Sequence, residues 1–258
     1  MTIWRKIYFN VLKKVIKLSK TLNGTIIVTY CFFLMDAKKE ERKLLKSLFF
    51  PSAFIAILWV VYLIEYLSGT RFVEYGIWPR TLQGALGIFT SPLIHADLNH
   101  LFANSVPLFV LGASLFYFYR SIAFRVFVLI YIFTNLWVWG IGREAYHIGS
   151  SGVVYGLASF LFISGLLRKE PRLMAISMFV AFLYGGFIWG IFPELFPERN
   201  ISWEAHLMGL LAGAIFAIYF RKSGPQRKRY SWEFEDDDEE DEEGPAYWKV
   251  PPGSDFKP

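Results

Sequence analysis

The chain has 258 residues, 54% of them hydrophobic, a net charge of +5 and a mean hydropathy of +0.36. That is too apolar for an ordinary soluble domain, and the apolar residues fall in blocks long enough to cross a bilayer, which takes about 20 helical residues. The excess of Lys and Arg serves membrane topology rather than nucleic acid. The single cysteine, Cys31, excludes an intrachain disulfide and a cysteine-based metal site.

In chain order, residues 1–46 read as a basic cytoplasmic arm. Ile7, Val11, Val15 and Leu18 recur at helical spacing among Lys6, Lys13, Lys14, Lys17 and Lys20, the pattern of a membrane-surface helix. The apolar run from Thr25 to Leu34 is too short to span, and Met35 offers a second start, which would leave 1–34 outside the protein. Residues 47–221 form the membrane domain, with spans expected at 48–67, 98–119, 122–141, 150–167, 173–192 and 203–220. The fold class is therefore an all-α membrane protein, a six-helix bundle. Residues 222–258 form a tail, acidic from Glu233 to Glu243, that cannot bury a core and is expected to be disordered.

The loops set the orientation. Lys38, Lys39, Arg42, Lys43 and Lys46 precede the first span. Arg120 and Arg125 follow the second, and Arg168, Lys169 and Arg172 follow the fourth. Arg221, Lys222, Arg227, Lys228 and Arg229 follow the sixth, whereas the opposite loops hold Arg71, Arg80, Arg143 and Arg199. The positive-inside rule places both termini in the cytoplasm of a multi-pass protein, expected in a bacterial inner membrane.

Polar residues inside spans are costly and ask for a function. His95, Asp97, Asn99, His100 and Asn104 open the second span, Ser150 and Ser151 the fourth, Glu204 and His206 the sixth. All three spans run inward, so these groups meet at one shallow depth. Ser151, in Gly149-Ser150-Ser151-Gly152, sits at a helix start whose free N–H groups stabilise an oxyanion. His206 is suited to act as its base, because histidine titrates near neutrality. Gly152 and Gly156, and Gly209 and Gly213, are each four apart, the spacing that lets two membrane helices approach closely. Tyr155, one turn after Ser151, can stack on His206, and His100 and Asn104 can both donate to an oxyanion. A metal site on His95, His100 and Asn104 ranks low, since Asn is a poor zinc ligand and no His-Glu-x-x-His sequence exists. His147 reads as a solvated loop residue, and Glu204 as an outer-surface group rather than a third member of a triad.

The set His95-x-x-x-x-His100-x-x-x-Asn104, Gly149-Ser150-Ser151-Gly152 and Ala205-His206-x-x-Gly209-x-x-x-Gly213 resembles the rhomboid family of intramembrane serine proteases. The resemblance covers about residues 48–220. It implies six helices, a Ser151–His206 dyad without an acid, and no cofactor. It also implies an oxyanion site of His100, Asn104 and the Ser151 N–H, with Tyr155 packed on His206. Substrates would be transmembrane proteins met in the lipid bilayer, entering beside the fifth span; Gly185, Gly186 and Gly190 there, and Pro193 and Pro197 beyond, suit local movement. The first outer loop departs from the family's Trp-Arg pair, since Pro79 separates Trp78 from Arg80. The rivals are an inactive relative that escorts membrane clients, disfavoured by the presence of both Ser151 and His206, and a transporter, disfavoured by polar groups that avoid the midplane.

Overall fold

The computed structural model describes residues 24–186 and 202–227, with side chains from residue 37 onward. Among them it is helical, built from α1 (Gly24–Ser68), α2 (Leu98–Phe118), α3 (Ala123–Ile141), α4 (Ser151–Arg168), α5 (Pro171–Tyr184) and α6 (Trp203–Tyr219). The expected spans fall on these six helices, except that the 173–192 span runs past the end of α5 and its residues 187–192 lie outside the described residues. Four of the helices are long and apolar enough to cross a membrane, and α5 and α6 are shorter apolar helices. The expected membrane-surface helix at 1–18, most of the acidic tail, and Gly190, Pro193 and Pro197 lie outside the described residues. The first helix is far longer than the 48–67 span, running unbroken from Gly24 through Met35 and past residue 46.

Local signals explain the helix ends. Asp97 caps α2 by accepting from the His100 N–H at 2.8 Å. Lys169, in the left-handed region at φ 50°, ends α4. Glu170 then accepts from the Leu173 N–H at 2.9 Å, and Pro171 opens α5 at the position where a missing N–H costs nothing.

The fourth helix is the axis of the bundle. In α4, 72% of the residues are buried, against 44, 33 and 17% for the spanning stretches of α2, α3 and α1. Its core side chains Val153, Val154, Leu157, Phe160 and Leu161 pack with Leu101, Leu108 and Leu115 of α2 and with Ala212 and Phe216 of α6. Outward-facing Leu63, Phe102, Val106, Phe124, Phe182 and Ile218 are exposed on the bundle surface, an apolar coat that water would not tolerate and lipid does.

At the end of α4 remote from Ser151, the buried Arg168 fastens α6. Its guanidinium donates to the carbonyls of Phe220 (2.6 Å), Ser223 (2.8 Å) and Pro225 (2.6 Å), the last carbonyls of α6 and the turn beyond it. A cation here also complements the negative end of the α6 dipole.

The loop between α1 and α2 is held by buried Ile77, which packs with Val138, Ala205 and Met208, and by backbone hydrogen bonds. Ile77 and His147 exchange both backbone hydrogen bonds, at 3.0 and 2.9 Å. Arg80 donates to the Gly142 carbonyl at 2.7 Å and pairs with Glu144, so its charge is spent on the end of α3.

Candidate active site

The glycine pairs bring α4 and α6 into backbone contact. A Cβ placed on Gly209 would collide with the Gly152 carbonyl oxygen, and one on Gly213 with that of Gly156. From the other helix, a Cβ on Gly152 would come within 2.9 Å of the Ala205 carbonyl oxygen, and one on Gly156 would strike Ile130. Only hydrogen fits at these four positions, and the helices cross where the serine and histidine sit.

That approach places His206 Nε2 3.0 Å from Ser151 Oγ, a hydrogen bond between residues 55 apart in sequence. The Tyr155 ring lies parallel to the imidazole, with centroids 4.1 Å apart and an interplanar angle of 4°. This stacking fixes the plane of His206 so that Nε2 faces the hydroxyl. Ser151 is partly accessible, whereas its neighbour Ser150 is fully buried at 0% exposure. Of the two adjacent serines, Ser151 is therefore the accessible one.

The second helix arrives from the opposite side. Gly149 has φ +100°, a conformation glycine adopts freely, and its backbone passes under the His100 ring. A Cβ there would meet His100 Nε2 at 2.7 Å and lie 3.8 Å from Asn104 Nδ2. His100 and Asn104 thus stand beside the turn that leads into Ser151. Asn104 uses one amide hydrogen on the His100 carbonyl at 3.1 Å, which leaves its second amide hydrogen for another acceptor. The Gly149 N–H donates to the Ser91 carbonyl at 2.8 Å and fixes this turn.

His95 is buried, with its Nε2 3.4 Å from Ser150 Oγ and its ring against that of His100 at 5.1 Å. Burial, followed by the neighbouring His100, pushes its pKa down to about 4, so it is neutral at physiological pH. It supports the turn through Ser150 and does not reach Ser151 itself.

Two residues stand differently from the sequence reading. Glu204 is buried at 4% exposure, not on the outer surface; its Oε1 pairs with Arg143 Nε at 3.5 Å and lies 3.4 Å from the Arg143 N–H. His147 is buried rather than solvated, with Nδ1 2.6 Å from Ser202 Oγ and Nε2 3.1 Å from the Arg143 carbonyl. Polar residues in a loop look solvated in sequence, and only the fold reveals that residues 143–147 lie against the start of α6. The one available signal was Ser202 itself, placed where a helix cap belongs.

The class of protein that fold and composition define is an apolar helical bundle of the membrane, with a serine and a histidine at hydrogen-bond distance near one end. The rhomboid domain model matches residues 83–223. An uncharacterized protein of Mycobacterium tuberculosis is 36% identical over 181 residues, which are 68% of this chain and 75% of that one. One from Mycobacterium leprae is 33% identical over 181 residues, 68% of this chain and 71% of the relative. The rhomboid protease GlpG of Serratia proteamaculans is 26% identical over 169 residues, 64% and 60% of the two chains. The chain belongs to the rhomboid family, and it is an integral membrane protein.

Proposed function

We propose that this protein is an intramembrane serine endopeptidase that hydrolyses peptide bonds in or next to transmembrane segments of membrane proteins. The observation that carries this reading is the 3.0 Å contact between Ser151 Oγ and His206 Nε2 under the Tyr155 ring. In the first half-reaction, His206 takes the Ser151 proton as the oxygen attacks the scissile carbonyl carbon. The oxyanion is met by the N–H groups at the start of α4, with His100 and Asn104 alongside. The C–N bond then breaks, His206 protonates the leaving amine, and an acyl ester remains on Ser151. In the second half-reaction a water gives a proton to His206 and attacks the ester carbonyl; the ester C–O bond then breaks, His206 returns the proton to Ser151 Oγ, and the acid is released.

The dyad lies at the start of α4 and of α6, so water reaches it from one end of the bundle. A substrate helix must unwind there, because carbonyls held in the helical ladder are not open to attack. In a reconstituted assay, a single-span protein with small or helix-weakening residues near its outer end is expected to be cut. Mass spectrometry of the products should place the new termini in or beside the span. A panel of such substrates left whole by protein that still reacts with a serine-directed probe would favour the client-escorting relative instead.

We further place both termini in the cytoplasm, with residues 47–221 as the protease domain of an inner-membrane protein. Alkaline phosphatase fused after Arg227 should be inactive and a cytoplasmic reporter fused there active. The reverse pattern would turn the site to the other face.

A further inference from the structure

The loop that leads into the nucleophile holds the cap of the helix that carries the base. Ser202 is the N-cap of α6; its side chain accepts from the Ala205 N–H at 3.4 Å, and its carbonyl accepts from the His206 N–H at 3.3 Å. The same hydroxyl meets His147 Nδ1 at 2.6 Å, and His147 lies four residues before Ser151. The tautomer follows from the partners. The Arg143 carbonyl can only accept, so Nε2 carries the ring proton, and Nδ1 of the neutral ring accepts from the Ser202 O–H. Burial, the largest influence on this loop histidine, lowers its pKa and favours that neutral ring. One directed chain of donors results, from the Ala205 N–H to Ser202 Oγ, from Ser202 O–H to His147 Nδ1, and from His147 Nε2–H to the Arg143 carbonyl.

A second tie runs in parallel, from Arg143 to Glu204 in the first turn of α6. The His147 backbone is itself pinned to Ile77 by two hydrogen bonds. His147 is therefore anchored at its backbone to Ile77 and at Nε2 to its own loop, which aims Nδ1 at Ser202 and makes that contact the link between the segment carrying Ser151 and the turn carrying His206.

We infer that His147, acting through Ser202, is a positioning residue that sets the separation and alignment of Ser151 and His206. This rests on the dyad reading above. A misplacement of about 1 Å in reacting groups costs about 100-fold in rate, whereas the hydrogen bond from half-buried Ser202 to buried His147 adds only about 1 kcal/mol to stability. The chemical step should therefore suffer more than the fold.

The test uses the full-length protein in lipid nanodiscs and the rate constant for acylation of Ser151 by a small fluorophosphonate. Acylation needs the dyad but no membrane substrate. His147→Ala is expected to acylate about 10- to 100-fold more slowly, to lower kcat on a span substrate with KM unchanged, and to lower the thermal midpoint only modestly, so that the protein is still folded at the assay temperature. Ser202→Thr, which keeps the hydroxyl, should acylate near the wild-type rate, and Ser202→Ala should be slow. If His147→Ala does not fold, the Thr and Ala variants at 202 decide the matter. Equal rates for those two, or a wild-type rate in folded His147→Ala, would overturn the role. Slowing that only tracks the fraction of folded protein would overturn it as well. A wild-type protein that is not acylated at Ser151 fails at an earlier point: it overturns the dyad reading and this role together.

Discussion

Ser151→Ala is expected to lower peptide hydrolysis by at least about 1,000-fold while leaving the bundle folded, because removing a nucleophile removes the covalent route altogether. His206→Ala should fall by a similar factor, and the double variant should be little worse than either single one. Residues that act as a unit are not additive. The contrast that gives this prediction its edge is Ser150→Ala. The Ser150 hydroxyl is fully buried and faces His95, so its loss leaves a reachable Ser151 and should cost far less. Initial rates on one span substrate, with circular dichroism to verify helix content, check all four proteins. Equal losses at 150 and 151 would mean that the turn, not a particular hydroxyl, is what matters.

The second large effect lies in the backbone contact between α4 and α6. In Gly209→Ala, the new methyl meets the Gly152 carbonyl and also presses on the Gly156 N at 3.2 Å. Neither is the movable tip of a side chain, so the helices must part. Overpacking of this kind costs about 1–3 kcal/mol, and the same separation pulls His206 from Ser151. The expected result is a lowered thermal midpoint together with an acylation rate down by about 100-fold. Gly140→Ala on α3 is the matched control. Nothing among the described residues lies within 4 Å of a Cβ there, and alanine favours helix. A Gly209→Ala protein as active and as stable as Gly140→Ala would mean that the close approach of the two helices is not what aligns the dyad.

The Ser151–His206 contact was legible in the sequence because each of its parts leaves a mark along the chain. Ser151 and His206 each stand at the head of an apolar helix, where a polar residue is conspicuous. The glycine pairs at 152 and 156 and at 209 and 213 carry the four-residue period of a helix face. Their pairing then follows from sterics, since glycines facing one another are the only residues that admit the carbonyl contacts seen. Tyr155 was legible for the same reason, one helical turn from Ser151, and it stacks as that spacing suggested.

What escaped the sequence was the polar work of the loops. His147 and Glu204 belong to no periodic pattern, and their partners lie 55 and 61 residues away. Hydropathy cannot separate a solvated loop histidine from one folded under a helix cap. The short helices Leu82–Ala85 and Gly87–Thr90 escaped too, being a single turn each, too short to show a period. Thr81 marks the start of the first of them, a cap whose hydroxyl accepts from the Gly84 N–H at 3.1 Å, and the second has no side-chain cap. The length of α1 was also hidden, because its basic stretch from Lys38 to Lys46 reads as an arm while the backbone continues as helix.

The central claim is that Ser151, activated by His206, is the nucleophile. The most direct measurement is the mapping of a fluorophosphonate adduct by peptide mass spectrometry on the intact, membrane-embedded protein. One phosphonylated serine, Ser151, is expected in wild type, with the adduct lost in Ser151→Ala and slowed at least about 1,000-fold in His206→Ala. An adduct on a different residue, or labelling of Ser151 that proceeds unchanged without the His206 imidazole, would contradict it.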